Sequence, residues 1–164
     1  MDSIRQHFRP SKIFHLTHNV VGKAPLLVEN IDMWRTAWET AHGCRTLAWA
    51  VLPDHLHLLI DPGQVEMKEL MRSVRLAFSI HYRGRITSRP GPVWDLPFWH
   101  CVMRDENDLH AHADYINYNA VRHGLVTHPS EWEHSSFHSY VDSGTYPSDW
   151  GAAEPRKFDG DFGD

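Results

Sequence analysis

Long uncharged apolar runs are missing from these 164 residues. A helix that crosses a bilayer needs roughly 20 of them in a row, so no membrane-spanning segment is expected. The opening MDSIRQHFRP lacks the apolar block of a secretion signal, which predicts a cytoplasmic protein. Cysteine is scarce. Cys44 and Cys101 have no short spacing between them and read as reduced, buried thiols, neither a disulfide nor a zinc pair. Net positive charge is lacking too: the formal charge is −5, which, taken whole, argues against a nucleic-acid partner. Its distribution reverses that inference. Glu131–Asp164 holds eight acids and two bases, whereas Pro62–Arg104 holds seven bases and three acids. A basic middle of this kind can neutralise phosphates in an acidic protein.

What is present centres on AWAVLPDHLHLLI, residues 48–60. It reads as two apolar runs joined by a turn at Pro53-Asp54. In a strand, alternate side chains share a face. Leu56, Leu58 and Ile60 then face a core, and His55 and His57 stand together on the other side. Two neutral imidazoles at that spacing are half of a divalent-metal site.

Around this hairpin the elements follow in order. Lys12–Val21 is β-branched and aromatic and predicts a strand. Glu29–His42 repeats apolar residues at helical spacing and stops at Gly43. Arg45–Leu52 and His55–Ile60 form the hairpin. Glu66 to Arg83 is a second amphipathic helix, with Lys68, Arg72 and Arg75 off its apolar stripe. Phe98–Met103 is a short strand. Asp105 to His123 is a third helix, with Asp105, Glu106 and Asp108 at its start and Gly124 after its end. The order β-α-β-β-α-β-α predicts an α+β, ferredoxin-like split βαβ with a four-stranded antiparallel sheet and one added helix. Residues 1–140 make one domain, and residues 141–164, rich in Gly, Pro and acid, read as a flexible tail.

The third helix can complete the metal site. His112, Tyr115 and Asn119 are spaced three and four apart and share one helical face. A tyrosine becomes an effective nucleophile toward a phosphodiester when a metal polarises the phosphoryl oxygens, and Asn119 can offer a carbonyl oxygen. Tyr118 lies roughly 300° round the helix from Tyr115 and borders the same groove.

LPDHLHLLI, PVWDLPFWHCVMRDENDLHAHADYINYNAVRHGLV and SSFHSYV, followed by YPSDWG, together resemble the REP-associated tyrosine transposases. These are a branch of the single-tyrosine transposases named for a histidine–hydrophobic–histidine (HUH) motif, and the likeness runs from about Phe14 to Gly151. It implies a metal-dependent enzyme that cleaves and rejoins single-stranded DNA beside small imperfect hairpins through a 5′-phosphotyrosine. No nucleotide cofactor and no membrane are implied, and the chain acts as monomer or homodimer. His55 and His57 fall on the histidine pair, Tyr115 on the nucleophile and Asn119 on a third ligand for Mg²⁺ or Mn²⁺; His112 and Tyr118 stand behind them. Arg72, Arg75, Arg83, Arg85, Arg89 and Arg104 are the expected phosphate contacts, and Trp94 and Trp99 are stacking platforms for exposed bases. The chain departs from the family at Asp54 and Ala120, where asparagine and proline are usual. It also departs at Leu96 and Pro97, in place of two arginines, and at His100, in place of an acid. Loss of two cations weakens phosphate contact, which motivates the alternative of a domesticated hairpin-binding protein with little or no cleavage. A histidine-dependent nucleotide hydrolase would want a third alternate histidine, where this chain has Leu59.

Overall fold

Four strands pair antiparallel: β1 (Phe14–Asn19), β2 (Arg45–Val51), β3 (His55–Asp61) and β4 (Trp99–Val102). Their order across the sheet is β2-β3-β1-β4, so the two histidines ride a central strand. The structure is a computed structural model and describes residues 12–86, 91–152, 158 and 160–163. Helices α1 (Ile31–Trp38) and α2 (Met67–Arg85) cover one face of the sheet, and α3 (Glu106–Arg122) with the short α4 (Phe137–Asp142) covers the other. This is the expected α+β split βαβ with an added helix. The expected loose arm before Pro10 lies outside the described residues.

Strand alternation decides which core each residue joins. Leu16, Leu56, Leu58 and Ile60 pack with Leu70, Met71, Val74 and Phe78 of α2 in the first core. Ala48, Ala50 and Leu59 pack with Leu109, Ala113, Tyr115 and Ile116 of α3 in the second. Both faces are covered, so His55 and His57 are buried and not solvated. The caps fit the local sequence: the Glu66 carboxylate accepts from Lys68 N–H at the start of α2, and Asp105 accepts from Asp108 N–H at 2.8 Å at the start of α3.

Two boundaries differ from expectation. Helix α1 stops at Trp38 and not at His42, because the Thr40 hydroxyl donates to the Ala37 carbonyl at 2.7 Å and competes with the helical ladder. The reading of residues 141–164 as a flexible tail is corrected where they are described. Tyr146, Trp150 and Phe162 are buried in the second core, with the Tyr146 and Trp150 rings stacked at 4.2 Å. The Tyr146 hydroxyl donates to Asp114 at 2.6 Å. Gly, Pro and Asp dominate the composition there and mask a few spaced aromatics, each worth about 2 kcal/mol on burial.

The first core also holds a histidine. His18 is fully buried, its ring 4.7 Å from Trp94 and 5.5 Å from Phe98, and neither ring nitrogen has a hydrogen-bond partner. Burial, reinforced by the Arg75 charge, pulls its pKa from 6.5 down to about 3. The unfolded chain therefore binds a proton that the folded chain refuses. The stability this gives is fully present above pH 6.5 and is lost as pH falls toward 3. At about 1.4 kcal/mol per unit the effect reaches several kcal/mol. His18→Leu is expected to reduce the loss of stability between pH 7 and pH 4, read as urea midpoints, with no cost at pH 7. An unchanged pH slope would count against this account.

Candidate active site

His55 and His57 point into the second core from the start of β3, and each is held by its Nδ1. His55 Nδ1 donates to the Asp54 carboxylate at 2.6 Å. His57 Nδ1 lies 2.8 Å from the Thr17 hydroxyl, which itself donates to the Phe162 carbonyl. A hydroxyl has one proton to give, so Thr17 accepts from His57. Both imidazoles thus carry their proton on Nδ1 and their lone pair on Nε2, the form in which a metal-ligating histidine is usually held by an outer acceptor. Burial lowers the His55 pKa despite the opposing pull of Asp54, which favours the neutral ring that ligates.

Helix α3 crosses above the pair. The Tyr115 ring lies 5.5 Å from His57, and two turns on, the His123 ring lies 4.8 Å from His55. Asn119 is one turn from each and so faces the histidine pair. It is fully buried, and neither atom of its side-chain amide has a hydrogen-bond partner. His55 Nε2 is likewise buried and unpartnered. Leaving such groups bare costs about 1–3 kcal/mol each. An imidazole nitrogen and an amide oxygen, orphaned on facing elements, are a donor set that suits a divalent cation, and the residues present fit one.

Several neighbours had escaped the sequence reading. His15 and Thr17 alternate on β1 as the histidines do on β3, and Thr17 pairs directly with His57 in the sheet. The signal was present in FHLTHN, but it needed the strand order to be seen. Arg122, seven residues after Tyr115, donates to the phenol oxygen at 3.1 Å and lies 5.2 Å from the ring centre. The Phe162 ring stacks on Tyr115 at 3.9 Å and 9°, and Tyr115 is fully buried. At Gly163 the backbone presses so closely on Trp99 that an added Cβ would come within 2.5 Å of the indole. Trp99 Nε1 donates to Asp161 at 3.3 Å. The end of the chain is a cover over the tyrosine.

The other residues proposed from the sequence are placed less uniformly. His112 reaches the histidine pair only through His15: its Nδ1 is 2.7 Å from His15 Nδ1, and His15 Nε2 is 3.2 Å from His57 Nδ1. Tyr118 packs against Trp150 and Phe158. Trp99 lies beside the site, 5.3 Å from His15, under the chain end. Trp94 is a correction: it is buried among Trp34, Phe78 and His18 in the first core, because its bridge to Val20 turns it away from the tyrosine face, and it offers no platform to a base. Arg72, Arg75, Arg83 and Arg85 sit on α2, the helix covering the opposite face. Arg72 pairs with Glu69, Arg75 lies 5.3 Å over the Phe98 ring, and Arg83 donates to the Gly91 carbonyl. Arg104 is exposed and forks onto Asp108. Arg89 lies outside the described residues. No helix among the described residues is long and apolar enough to cross a membrane.

An antiparallel sheet that presents two alternate histidines to a helix-borne tyrosine is the arrangement that the resemblance to the tyrosine transposases implies. Comparison with known proteins narrows this further. The chain is 30% identical to a protein assigned as a REP-associated tyrosine transposase in Haemophilus influenzae, over 99% of this chain and all of that one. It is 35% identical to the REP-associated tyrosine transposase of Escherichia coli over 63% of this chain and 60% of that one. A solved structure of a REP-associated tyrosine transposase bound to a REP hairpin superimposes with a TM-score of 0.79 at 29% identity, covering 97% of this chain and 96% of that one. No family model matches. The chain belongs to the REP-associated tyrosine transposases.

Proposed function

We propose that this chain is a metal-dependent single-stranded DNA endonuclease and strand transferase that cuts beside small imperfect hairpins. Support comes first from the site itself: the Nδ1–H form of both histidines, set against the unpartnered Asn119 amide. The REP hairpin bound by the solved relative supports the substrate class.

His55, His57 and Asn119 would hold Mg²⁺ or Mn²⁺. When bound, the cation supplies charge against the scissile phosphate and its developing negative oxygens. Tyr115 supplies the nucleophile. Its phenol oxygen forms a bond to phosphorus as the bond to the 3′-oxygen breaks; the phenol proton passes to solvent and the departing oxygen takes one up from solvent, leaving a 5′-phosphotyrosine and a free 3′-hydroxyl. Arg122 places a positive charge where the phenol sheds its proton. Attack by that hydroxyl, or by another strand's, reverses the step without a nucleotide cofactor. Thr17 holds His57 in the required tautomer, and Asp54 does the same for His55. One domain carries this site, and the residues around Phe162 regulate access to it.

The test is a labelled single strand carrying a hairpin, incubated with the protein and either metal. A covalent protein–DNA adduct should form, should vanish with chelator and should be lost in His55→Ala. Asp54→Ala is expected to raise the metal concentration for half-maximal adduct by about 10- to 100-fold. A second reading, a hairpin-binding protein without cleavage, draws on Leu96, which is 70% exposed where the resemblance calls for an arginine. Tight hairpin binding with no adduct in either metal, once the chain end is removed, would select it.

A further inference from the structure

Beneath the histidine pair lies a second group of ligating side chains that the proposed chemistry does not use. His15 of β1, Cys101 of β4 and His112 of α3 each bring one donor atom to within 4.8 Å of the other two. His15 and Cys101 are direct partners across the β1–β4 ladder, and His112 descends on them from the helix. His15 is fully buried and His112 nearly so.

We propose that His15 Nδ1, His112 Nδ1 and the Cys101 thiolate bind one Zn²⁺, separate from the cation of the histidine pair. One outward nitrogen is already aimed as a zinc site requires: His112 Nε2 looks toward the Asp108 carboxylate at 3.8 Å. Metal-bound histidines are commonly steadied by a carboxylate or another polar group on the nitrogen that does not ligate. A thiolate with two imidazoles selects Zn²⁺ over Mg²⁺ or Mn²⁺, which prefer oxygen. The fourth position goes to water, since Cys101 is only half-buried.

Binding is a ligand exchange and involves no redox change. The Cys101 thiol releases its proton to solvent, and the proton that joins the two Nδ1 atoms moves to His15 Nε2. The 3.2 Å contact with His57 is then given up, while the shorter 2.8 Å contact to Thr17 keeps the His57 proton on Nδ1. The two Nδ1 atoms, 2.7 Å apart as a hydrogen-bonded pair, must part by about 0.6 Å to reach tetrahedral spacing at ordinary zinc–nitrogen distances. One ion would tie β1, β4 and α3 together at the floor of the active site.

The full chain, stripped by chelator and titrated with Co²⁺ as a coloured substitute for Zn²⁺, tests this. One equivalent should produce a thiolate-to-cobalt charge-transfer band that Zn²⁺ abolishes. The band should persist in Cys44→Ser and in His55→Ala and be lost in Cys101→Ser and His112→Gln, whose folding is checked by circular dichroism. No band in the unaltered chain, or a band surviving Cys101→Ser, would overturn the site. Loss of the band in His55→Ala would overturn its separateness from the histidine pair. Since none of these readouts is DNA cleavage, the zinc site stands or falls independently of the nuclease proposal.

Discussion

Tyr115→Phe is expected to abolish the covalent protein–DNA adduct, lowering it by about 10³-fold or more, which corresponds to roughly 4 kcal/mol of barrier. The substitution removes one oxygen and leaves the ring, which packs beside His57 and under Phe162. The hydrogen bond from Arg122 is lost, at a cost of about 1 kcal/mol in stability. Hairpin affinity should be unchanged, because the phenol acts in the chemistry and not in holding the stem. Tyr118→Phe is the control. Its ring lies among Trp150, Phe158 and the backbone at Gly151, so adduct formation should stay within about threefold, an effect of roughly 0.6 kcal/mol. An adduct that survived Tyr115→Phe and disappeared in Tyr118→Phe would assign the nucleophile to the other tyrosine.

The helical face that carries Tyr115 was legible in the sequence through periodicity, whereas the choice of Tyr115 over Tyr118 came from the resemblance to the family. The alternation in HLHLLI separated the histidines from Leu56, Leu58 and Ile60 on the two faces of β3, and the three- and four-residue spacing of His112, Tyr115 and Asn119 placed them on one face of α3. Both inferences use only the repeat of a single element. What escaped depends on contacts between elements distant in sequence. Thr17 orients His57 from a neighbouring strand, His123 closes on His55 from the end of α3, and Trp94 looked like a DNA platform until its bridge to Val20 put it against Trp34 and Phe78. The basic stretch shows the same limit. The sequence put Arg72, Arg75 and Arg83 on one helix, but only the packing of that helix shows it on the face opposite Tyr115. Composition hid the chain end, where Phe162 and Tyr146 pack inside a segment otherwise made of turn formers.

Removing residues 153–164 is expected to speed adduct formation by about 10- to 30-fold at saturating hairpin. Tyr115 is fully buried, and a phosphodiester cannot approach it while Phe162 stacks on the ring and the Phe162 carbonyl accepts from Thr17. Covering a phenylalanine of this kind is worth about 2 kcal/mol, which makes the open form about one molecule in 30. Deletion removes that tax on the competent state. Phe162→Ala, which keeps the backbone and the acids, should recover most of the gain. The acidic content of the segment suggests a different mechanism, in which the chain end mimics DNA and shields basic residues. The deletion carries away two more acids than bases, so shielding predicts tighter hairpin binding, screened by salt, with Phe162→Ala inert. A steric cover predicts faster chemistry, salt-insensitive, with Phe162→Ala active. Equal adduct rates for the intact and shortened chains would mean that the aromatic stack opens freely and gates nothing.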